Sequence, residues 1–259
     1  MIQTLTTHLD VLDAMKQYPK TIEYIGNLDL LQRPKVSIVG TRRPLGYTKN
    51  MTHQIAQSLA RRGVVVVSGA AMGVDAIAHM GAGASNTIAV MANSLEFRYP
   101  AVNRDLIVSI EQEGLVLSQF PRPFKARSWS FVVRNELVVA LGDVLVVTEA
   151  DIGSGSMRSV EYALEMGRKI YVLPHRLDES RGTNQLLEAG LAQPIYDIEK
   201  FANDYGAIPS YQGIERDEFF YFCQTSPTLD EAVEKFRDRV YEAELEGMIR
   251  IENGLVYLA

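Results

Sequence analysis

Residues 36–39 read Val36-Ser37-Ile38-Val39, and residues 64–67 read Val64-Val65-Val66-Val67. Both runs are short and rich in β-branched side chains, which is typical of strands that are buried on both faces. Between them, Thr48 to Arg62 places apolar side chains at helical spacing, and Gly63 follows where a helix is expected to end. This stretch therefore predicts a buried strand, a helix and a second buried strand.

The same alternation continues to about residue 173. Four more apolar runs predict strands at residues 87–91, 115–117, 144–147 and 170–173. Helical spacing between the runs predicts helices at about 74–80, 101–113, 134–140 and 156–166. Because buried strands alternate with helices, we predict an α/β fold with a mostly parallel sheet and helices on both faces.

The C-terminal region has a different pattern. It predicts three short helices at 217–224, 227–236 and 237–247, and then a β-hairpin at 248–258 with Asn253-Gly254 as its turn. Three helices and a hairpin indicate a small winged-helix-like module. We therefore expect a lead-in at 1–32, a sheet domain at 33–205, a linker near 203–213 and a winged-helix-like domain at 214–259.

Composition excludes several classes of site. The 259 residues include one cysteine, Cys223, so an intrachain disulfide and a cysteine-based metal site are excluded. The four histidines show no ligand spacing, so we expect neither a metal nor a cofactor; they are His8, His53, His79 and His175. Neither an apolar run of membrane-spanning length nor a signal peptide is found, so we expect a cytoplasmic protein with no membrane contact.

The negative charge is unevenly distributed along the chain. The formal net charge is −6, to which residues 1–32, 33–198 and 199–259 contribute −2, +3 and −7. Surfaces that bind nucleic acids are electropositive, so we do not expect the tail to read DNA. An acidic tail that serves solubility alone would show the same pattern.

Sheets of this kind bind ligands at the carboxyl ends of their strands. Three turns rich in small residues follow predicted strands there: Gly40-Thr41-Arg42-Arg43-Pro44, Ser68-Gly69-Ala70-Ala71-Met72-Gly73-Val74-Asp75 and Asp151-Ile152-Gly153-Ser154-Gly155-Ser156. Exposed amides and helix N-termini bind anions, and arginine suits phosphate. The alternatives are that Arg42 and Arg43 are ordinary surface residues and that Ser156 only caps a helix.

The stretch from Gly114 to Asn135 contains no acidic residue. It interleaves basic with aromatic side chains: Phe120, Arg122, Phe124, Lys125, Arg127, Trp129, Phe131 and Arg134. Basic groups neutralise backbone phosphates while aromatic faces stack on unpaired bases, so this combination is typical of a single-strand platform. The alternative is that the aromatic residues belong to the core, which we favour for Phe120 and Phe131 taken singly.

Asp75 and His79 stand four residues apart on one predicted helix, a spacing that acid–base catalysis could use. The simpler interpretation, which we favour, is an acidic residue near a helix N-terminus with a buried, hydrogen-bonded histidine beside it.

Several of these motifs, taken together, resemble the DprA/Smf family. The resemblance covers about residues 20–198. Its motifs occur in the family's order and spacing: Ile25-Gly26-Asn27-Leu28, Val39 to Arg43, Ser68 to Asp75 with His79, Tyr99-Pro100 with Asn103, Phe131, Arg134-Asn135 and Ser154 to Ser156.

The resemblance implies a Rossmann-like domain that binds single-stranded DNA in a basic pocket with little sequence preference. It also implies a homodimer that protects incoming DNA and loads the RecA recombinase during natural transformation. The DNA-binding residues that it implies are Gly40, Thr41, Arg42, Arg43, Ser68, Gly69, Lys125, Arg127, Phe131, Arg134, Asn135, Ser154, Gly155 and Ser156. Which of Lys125 and Arg127 contacts DNA stays open.

The chain departs from the family pattern at two positions in the first two turns. Thr41 stands where many members have serine, and Met72 stands where many have arginine, which removes one phosphate contact.

One alternative is a nucleotide phosphoribohydrolase of the lysine-decarboxylase-like class, which uses the motif Gly-Gly-x-Gly-Thr-x-x-Glu. Gly155-Ser156 would align with its Gly-Thr, but Ser159 then stands at the catalytic glutamate, and Glu161 falls on another helical face. We therefore expect binding without catalysis. The other alternative is that the tail reads duplex DNA, but residues 227–247 carry seven acids against three bases, the opposite sign to a recognition helix.

Overall fold

The alternating runs build a single sheet in the N-terminal part of the chain. The structure is a computed structural model, which describes residues 1–208, 217–245, 247–252 and 254–258. Contacts divide the chain into two units, Met1–Ile208 and Pro209–Ala259. Within the described residues, nine strands form the sheet of the first unit: β1 (Gln3–Thr4), β2 (Glu23–Gly26), β3 (Lys35–Val39), β4 (Val65–Ser68), β5 (Thr87–Val90), β6 (Leu115–Ser118), β7 (Val144–Val147), β8 (Lys169–Val172) and β9 (Gln193–Pro194).

The six predicted strands are confirmed to within one residue at each end. The strand order is β1-β2-β6-β5-β4-β3-β7-β8-β9, and pairing is parallel from β6 through to β9. Strands β1 and β2 pair antiparallel at one edge, so the predicted lead-in at 1–32 extends the sheet. The mostly parallel sheet is confirmed.

The path of the chain creates a crevice beside β3. After β3 the chain adds β4, β5 and β6 on one side, and then it returns to place β7 on the other side of β3. Ligands bind where the direction of winding reverses in this way. The strands β4, β3 and β7 are neighbours, so the predicted turns that follow them lie side by side.

Helices cover both faces of the sheet, as predicted. They are α1 (Gly46–Arg61), α2 (Val74–Ala82), α3 (Arg104–Glu113), α4 (Ser128–Leu141), α5 (Gly155–Glu165), α6 (Arg181–Glu188) and α7 (Ile198–Asn203). Sequence periodicity missed α6 and α7, and it placed the start of α4 six residues late. Helix α4 begins at Ser128, before the predicted start at residue 134. Ser130 Oγ accepts a hydrogen bond from Arg127 N at 2.9 Å, and this bond caps the first turn of the helix.

The two faces have separate cores because side chains alternate along each strand. Val65 and Val67 pack in one core with Leu137 of α4 and with α5 and α6. Val66 packs in the other core with Ile55 of α1 and with α2 and α7. Helix α3 covers the β5–β6 end of the sheet. In the described part of the chain, none of the helices is both long and apolar enough to span a membrane.

The second unit has the predicted elements: α8 (Glu218–Cys223), α9 (Leu229–Phe236), α10 (Asp238–Leu245), β10 (Ile249–Glu252) and β11 (Leu255–Leu258). Phe219, Val240 and Val256 are fully or almost fully buried in its own core. Asn253 of the predicted turn and residues 209–213 of the predicted linker lie outside the described residues. The winged-helix-like identity and the boundaries at 33–205 and 214–259 stay predictions.

Candidate nucleic-acid interface

The turn after β3 is held by a glutamate that follows β7. Thr41 N donates to Glu149 O at 2.9 Å, and Leu45 N donates to Glu149 Oε2 at 3.0 Å. Thr48 Oγ1, in the first turn of α1, donates to the same carboxylate oxygen. These bonds cross the crevice between β3 and β7, and the two arginines of the turn remain exposed.

The turn after β4 makes close approaches at two glycines. A Cβ on Gly69 would overlap the guanidinium of Arg134. A Cβ on Gly73 would lie 2.6 Å from Arg42 C and closer still to the Thr41 carbonyl oxygen, and Gly73 also has φ +82°. The first and second turns are therefore in direct backbone contact, and side chains are excluded from that contact.

Arg134 lies buried beneath the second turn. Its Nη1 donates to Gly69 O and to Val90 O, the latter at 2.7 Å, and its Nε donates to Asn135 Oδ1 at 3.1 Å. Burial raises the pKa of the neighbouring Asp75 carboxyl, and the charge of Arg134 opposes that rise. The Arg134 guanidinium thus donates hydrogen bonds to backbone carbonyl oxygens and holds the second turn in place.

The third turn begins α5. Ser154 occupies the N-cap position, and its buried Oγ has no hydrogen-bond partner in the described part of the chain. Asn135 of α4 lies across from it and donates from Nδ2 to Gly155 O at 3.4 Å. The turn therefore presents an unused hydroxyl beside the positive end of the α5 dipole.

The three turns and α4 enclose a cavity of about 410 Å³. Phe131 of α4 forms part of its wall, and the Arg42 guanidinium carbon lies 4.9 Å from the centroid of that ring. The ring of Tyr99 lies 6.2 Å away from that of Phe131, centroid to centroid. Among the lining residues the carboxylate is Asp75, which is buried, so the accessible charge of the cavity is positive.

The structure brings ten of the predicted DNA-binding residues into the lining of this cavity. They are Gly40, Thr41, Arg42, Gly69, Phe131, Arg134, Asn135, Ser154, Gly155 and Ser156. Two residues that position the turns, Glu149 and Asn103, were not among the predicted DNA-binding residues. Glu149 gives no local sequence signal because its contacts depend on strand order. Asn103 belongs to the motif that begins at Tyr99. Its Nδ2 donates to Ala70 O and Ala71 O at 2.9 and 3.0 Å.

Four predicted residues lie outside the lining of the cavity. Arg43 and Arg127 are exposed beside it. Ser68 is fully buried, and its Oγ donates to Ile38 O at 2.7 Å, so its hydroxyl supports the sheet. Lys125 lies in a different cavity, with Nζ 5.7 Å from the ring centroid of Phe97.

The acid-free aromatic stretch divides into two parts. Phe120 and Phe124 stack at 4.8 Å, and Trp129 meets both rings edge-on at 5.9 and 5.4 Å. These three rings form a cluster that does not line the cavity, so the stretch is not one continuous platform. Phe120 is buried as favoured, whereas Phe131 is only half-buried and faces the cavity.

The residues that acid–base chemistry would need are placed elsewhere. Ser159 is fully buried, and Glu161 points to the exposed face of α5, where it pairs with Arg158 at 2.6 Å. His79 Nδ1 donates to Thr87 Oγ1 at 2.6 Å, and its Nε2 accepts from Ala70 N at 3.3 Å. Burial lowers the pKa of His79 to about 3, so it is neutral at pH 7 and structural, as favoured from the sequence.

Comparisons with known proteins identify the family of this chain. The model of the family "DNA recombination-mediator protein A" matches residues 6–206. Protein Smf of Synechocystis is 37% identical over 82% of this chain and 57% of its own length. DNA processing protein DprA of Bacillus subtilis is 31% identical over 72% of this chain and 67% of its own length. The chain thus spans between about half and two thirds of the length of these curated relatives.

Two solved structures share the fold. DNA processing protein A of Helicobacter pylori, described with its unique single-stranded DNA binding mode, is 44% identical with a TM-score of 0.76, and the match covers 78% of this chain and 94% of that one. DNA processing protein A of Streptococcus pneumoniae is 31% identical with a TM-score of 0.73, over 80% of this chain and 75% of that one. The chain therefore belongs to the DNA recombination-mediator protein A family, which is the DprA/Smf family that its motifs resemble.

Proposed function

We propose that the cavity between the three turns binds single-stranded DNA with little sequence preference. The observation that carries this proposal is the exposed Arg42 guanidinium over the Phe131 ring, at the mouth of a cavity walled by the three turns and the start of α5. Cations and amides bind phosphates of any sequence, and every base has a face that stacks on an aromatic ring. The single-strand binding described for the Helicobacter pylori relative supports the same ligand here.

The proposed binding mode assigns a task to each wall of the cavity. Arg42 holds one phosphate beside the first turn, and Ser154 Oγ with the N-terminus of α5 holds a second one. A base stacks against Phe131. Arg134 and Glu149 act indirectly, since they fix the turns that carry these groups.

The proposed role includes no catalysis. Asp75 is the carboxylate of the lining, and it is buried beside Arg134 rather than exposed to a ligand. Glu161, which a phosphoribohydrolase would need near the third turn, lies on the outer face of α5. Release of free base from a nucleoside monophosphate by the purified protein would contradict this proposal.

In the cell, we propose that the chain acts as a cytoplasmic homodimer that protects incoming DNA and loads RecA during natural transformation. Family membership supports this role. Two copies on one strand would raise avidity without new contacts. Sedimentation velocity should find a dimer, and the protein should accelerate the assembly of RecA on single-stranded DNA; a monomer without effect on RecA would exclude this role.

Titration against salt tests the single-strand site. Arg42→Ala should weaken oligothymidylate binding about 10-fold and lower the slope of log K against log salt by about 0.7, the loss expected for one phosphate contact. Arg43→Ala removes the same charge from a residue outside the cavity lining, so its effect should be smaller. Matched duplex should bind more weakly than the oligothymidylate.

The control is Arg61→Ala, at the opposite end of α1 on the amino edge of the sheet, which should leave the binding curve unchanged. An unchanged salt slope for both Arg42→Ala and Arg43→Ala would exclude the proposed site.

A further inference from the structure

A second cavity lies on the same edge of the sheet. It has a volume of about 550 Å³ and begins where β5 and β6 end. Its lining residues are Asn93, Glu96, Phe97, Arg98, Tyr99, Ala101, Arg104, Lys125 and Ala126. None of them belongs to the lining of the first cavity.

The two cavities are joined by a small cleft. Arg42 and Phe131 line both the first cavity and the cleft, and Tyr99 lines both the cleft and the second cavity. Strands β7, β3, β4, β5 and β6 are consecutive neighbours in the sheet. Their carboxyl ends therefore form one continuous path from the start of α5 to the second cavity.

The second cavity repeats the chemistry of the first one. Lys125 Nζ lies 5.7 Å from the ring centroid of Phe97, as Arg42 lies over Phe131. Lys125 and Arg104 are exposed, and neither makes an ion pair within the described residues. Arg98 is neutralised by Glu111 at 2.6 Å, and Glu96 is the acid of the lining, so two free cations face one carboxylate.

One polar atom at the base of this cavity lacks a partner. Asn93 is 1% exposed, and its Nδ2 donates to Ser94 O at 2.9 Å and to Phe97 O at 2.6 Å. Because both amide hydrogens are used, the orientation of the side chain is set. Its Oδ1 has no hydrogen-bond partner in the described part of the chain. Buried acceptors are almost always paired, so this oxygen is completed by a donor from outside the protein, either a bound ligand or an ordered water.

We propose that the second cavity is a further nucleotide subsite on the path of the same single strand. A phosphate lies between Lys125 and Arg104, a base packs against Phe97 and Tyr99, and an N–H on the edge of that base donates to Asn93 Oδ1. This inference rests on the proposed function, since it extends the strand that the first cavity holds. It also gives a DNA-binding role to Lys125, which does not line the first cavity.

Oligonucleotide length separates the two subsites. We would titrate wild type, Lys125→Glu and Arg42→Ala with oligothymidylates of about 4 and about 16 nucleotides, the range of site sizes known for single-strand binders. Lys125→Glu should weaken the long oligonucleotide about 10-fold and leave the short one unchanged, because the short one fills the first cavity. Arg42→Ala should weaken both.

The matched control is Lys169→Glu, an exposed lysine at the amino end of β8, where the same charge reversal should change neither affinity. If Lys125→Glu leaves the long oligonucleotide unaffected, or weakens both lengths equally, the second subsite is excluded while the first one stands. If wild type binds neither oligonucleotide, the proposed function fails as well.

Cross-linking gives an independent measurement. An oligothymidylate of about 16 nucleotides that carries 4-thiothymine would be irradiated on the wild-type protein, and adducts would be located by mass spectrometry. An adduct at Phe97 supports the second subsite. Adducts at Phe131 without any at Phe97 would overturn it.

Discussion

At the residue scale, the absence of a side chain at Gly73 keeps the first two turns together. We predict that Gly73→Ala lowers the free energy of unfolding by about 2–4 kcal/mol, because it adds a backbone clash to the strain of φ +82°. It should also weaken single-strand binding, since the new methyl group displaces the backbone of Arg42. Urea denaturation and the oligothymidylate titration measure the two effects.

Gly153→Ala is a matched control for this substitution. Gly153 has φ +73°, close to that of Gly73, but a Cβ there would meet no atom within 4 Å. Its cost should be the conformational strain alone, about 1 kcal/mol. If the two variants are equally stable, the close approach of the turns contributes nothing to the loss of stability in Gly73→Ala.

The same scale shows which site residues a sequence can reveal. Gly40 and Ser154 were predictable because each belongs to a turn that follows a strand or precedes a helix, and Phe131 because it stands in the acid-free stretch of basic and aromatic residues. The burial of Arg134 was not, since it depends on Gly69 and Val90 approaching from two other strands. A sequence marks such a residue as part of a site without telling whether it contacts the ligand or the backbone.

At the scale of elements, β7 and α1 are coupled through Glu149. We predict that Glu149→Ala lowers stability by about 1–2 kcal/mol, because Leu45 N and Thr48 Oγ1 lose their acceptor. Single-strand affinity should fall several-fold as the first turn loosens. Glu149→Gln retains an acceptor oxygen and should recover most of both losses. An alanine variant that binds as tightly as wild type would show that the turn holds its conformation without this carboxylate.

Elements also differ in how well the sequence predicts them. The central strands were found because they are buried on both faces and therefore read as apolar runs. Strands β1 and β9 have two residues each and are not buried, so their pairing is a property of the folded sheet. The early start of α4 depends on one serine hydroxyl, and hydrophobic periodicity does not detect such a cap.

At the scale of the whole molecule, the net negative charge and the candidate binding site lie in different units of the chain. Residues 1–208 contain 21 basic and 21 acidic side chains, whereas residues 209–259 contain 5 and 11. Every lining residue of both cavities lies in the first unit, which has its own hydrophobic cores. The net charge of the chain therefore says little about the charge at the candidate interface.

This segregation predicts that a fragment of residues 1–208 binds single-stranded DNA as tightly as the full chain, or a few-fold more tightly at low salt. The reason is that removing a unit of net charge −6 reduces long-range repulsion of the phosphates, an effect that screening suppresses above physiological ionic strength. Circular dichroism would first establish that the fragment is folded. Titration at low and high salt should then show the two proteins converging as salt rises. A folded fragment that has lost binding at both salts would place essential contacts in the second unit, and the cavities between the turns would not be sufficient for the function proposed for them.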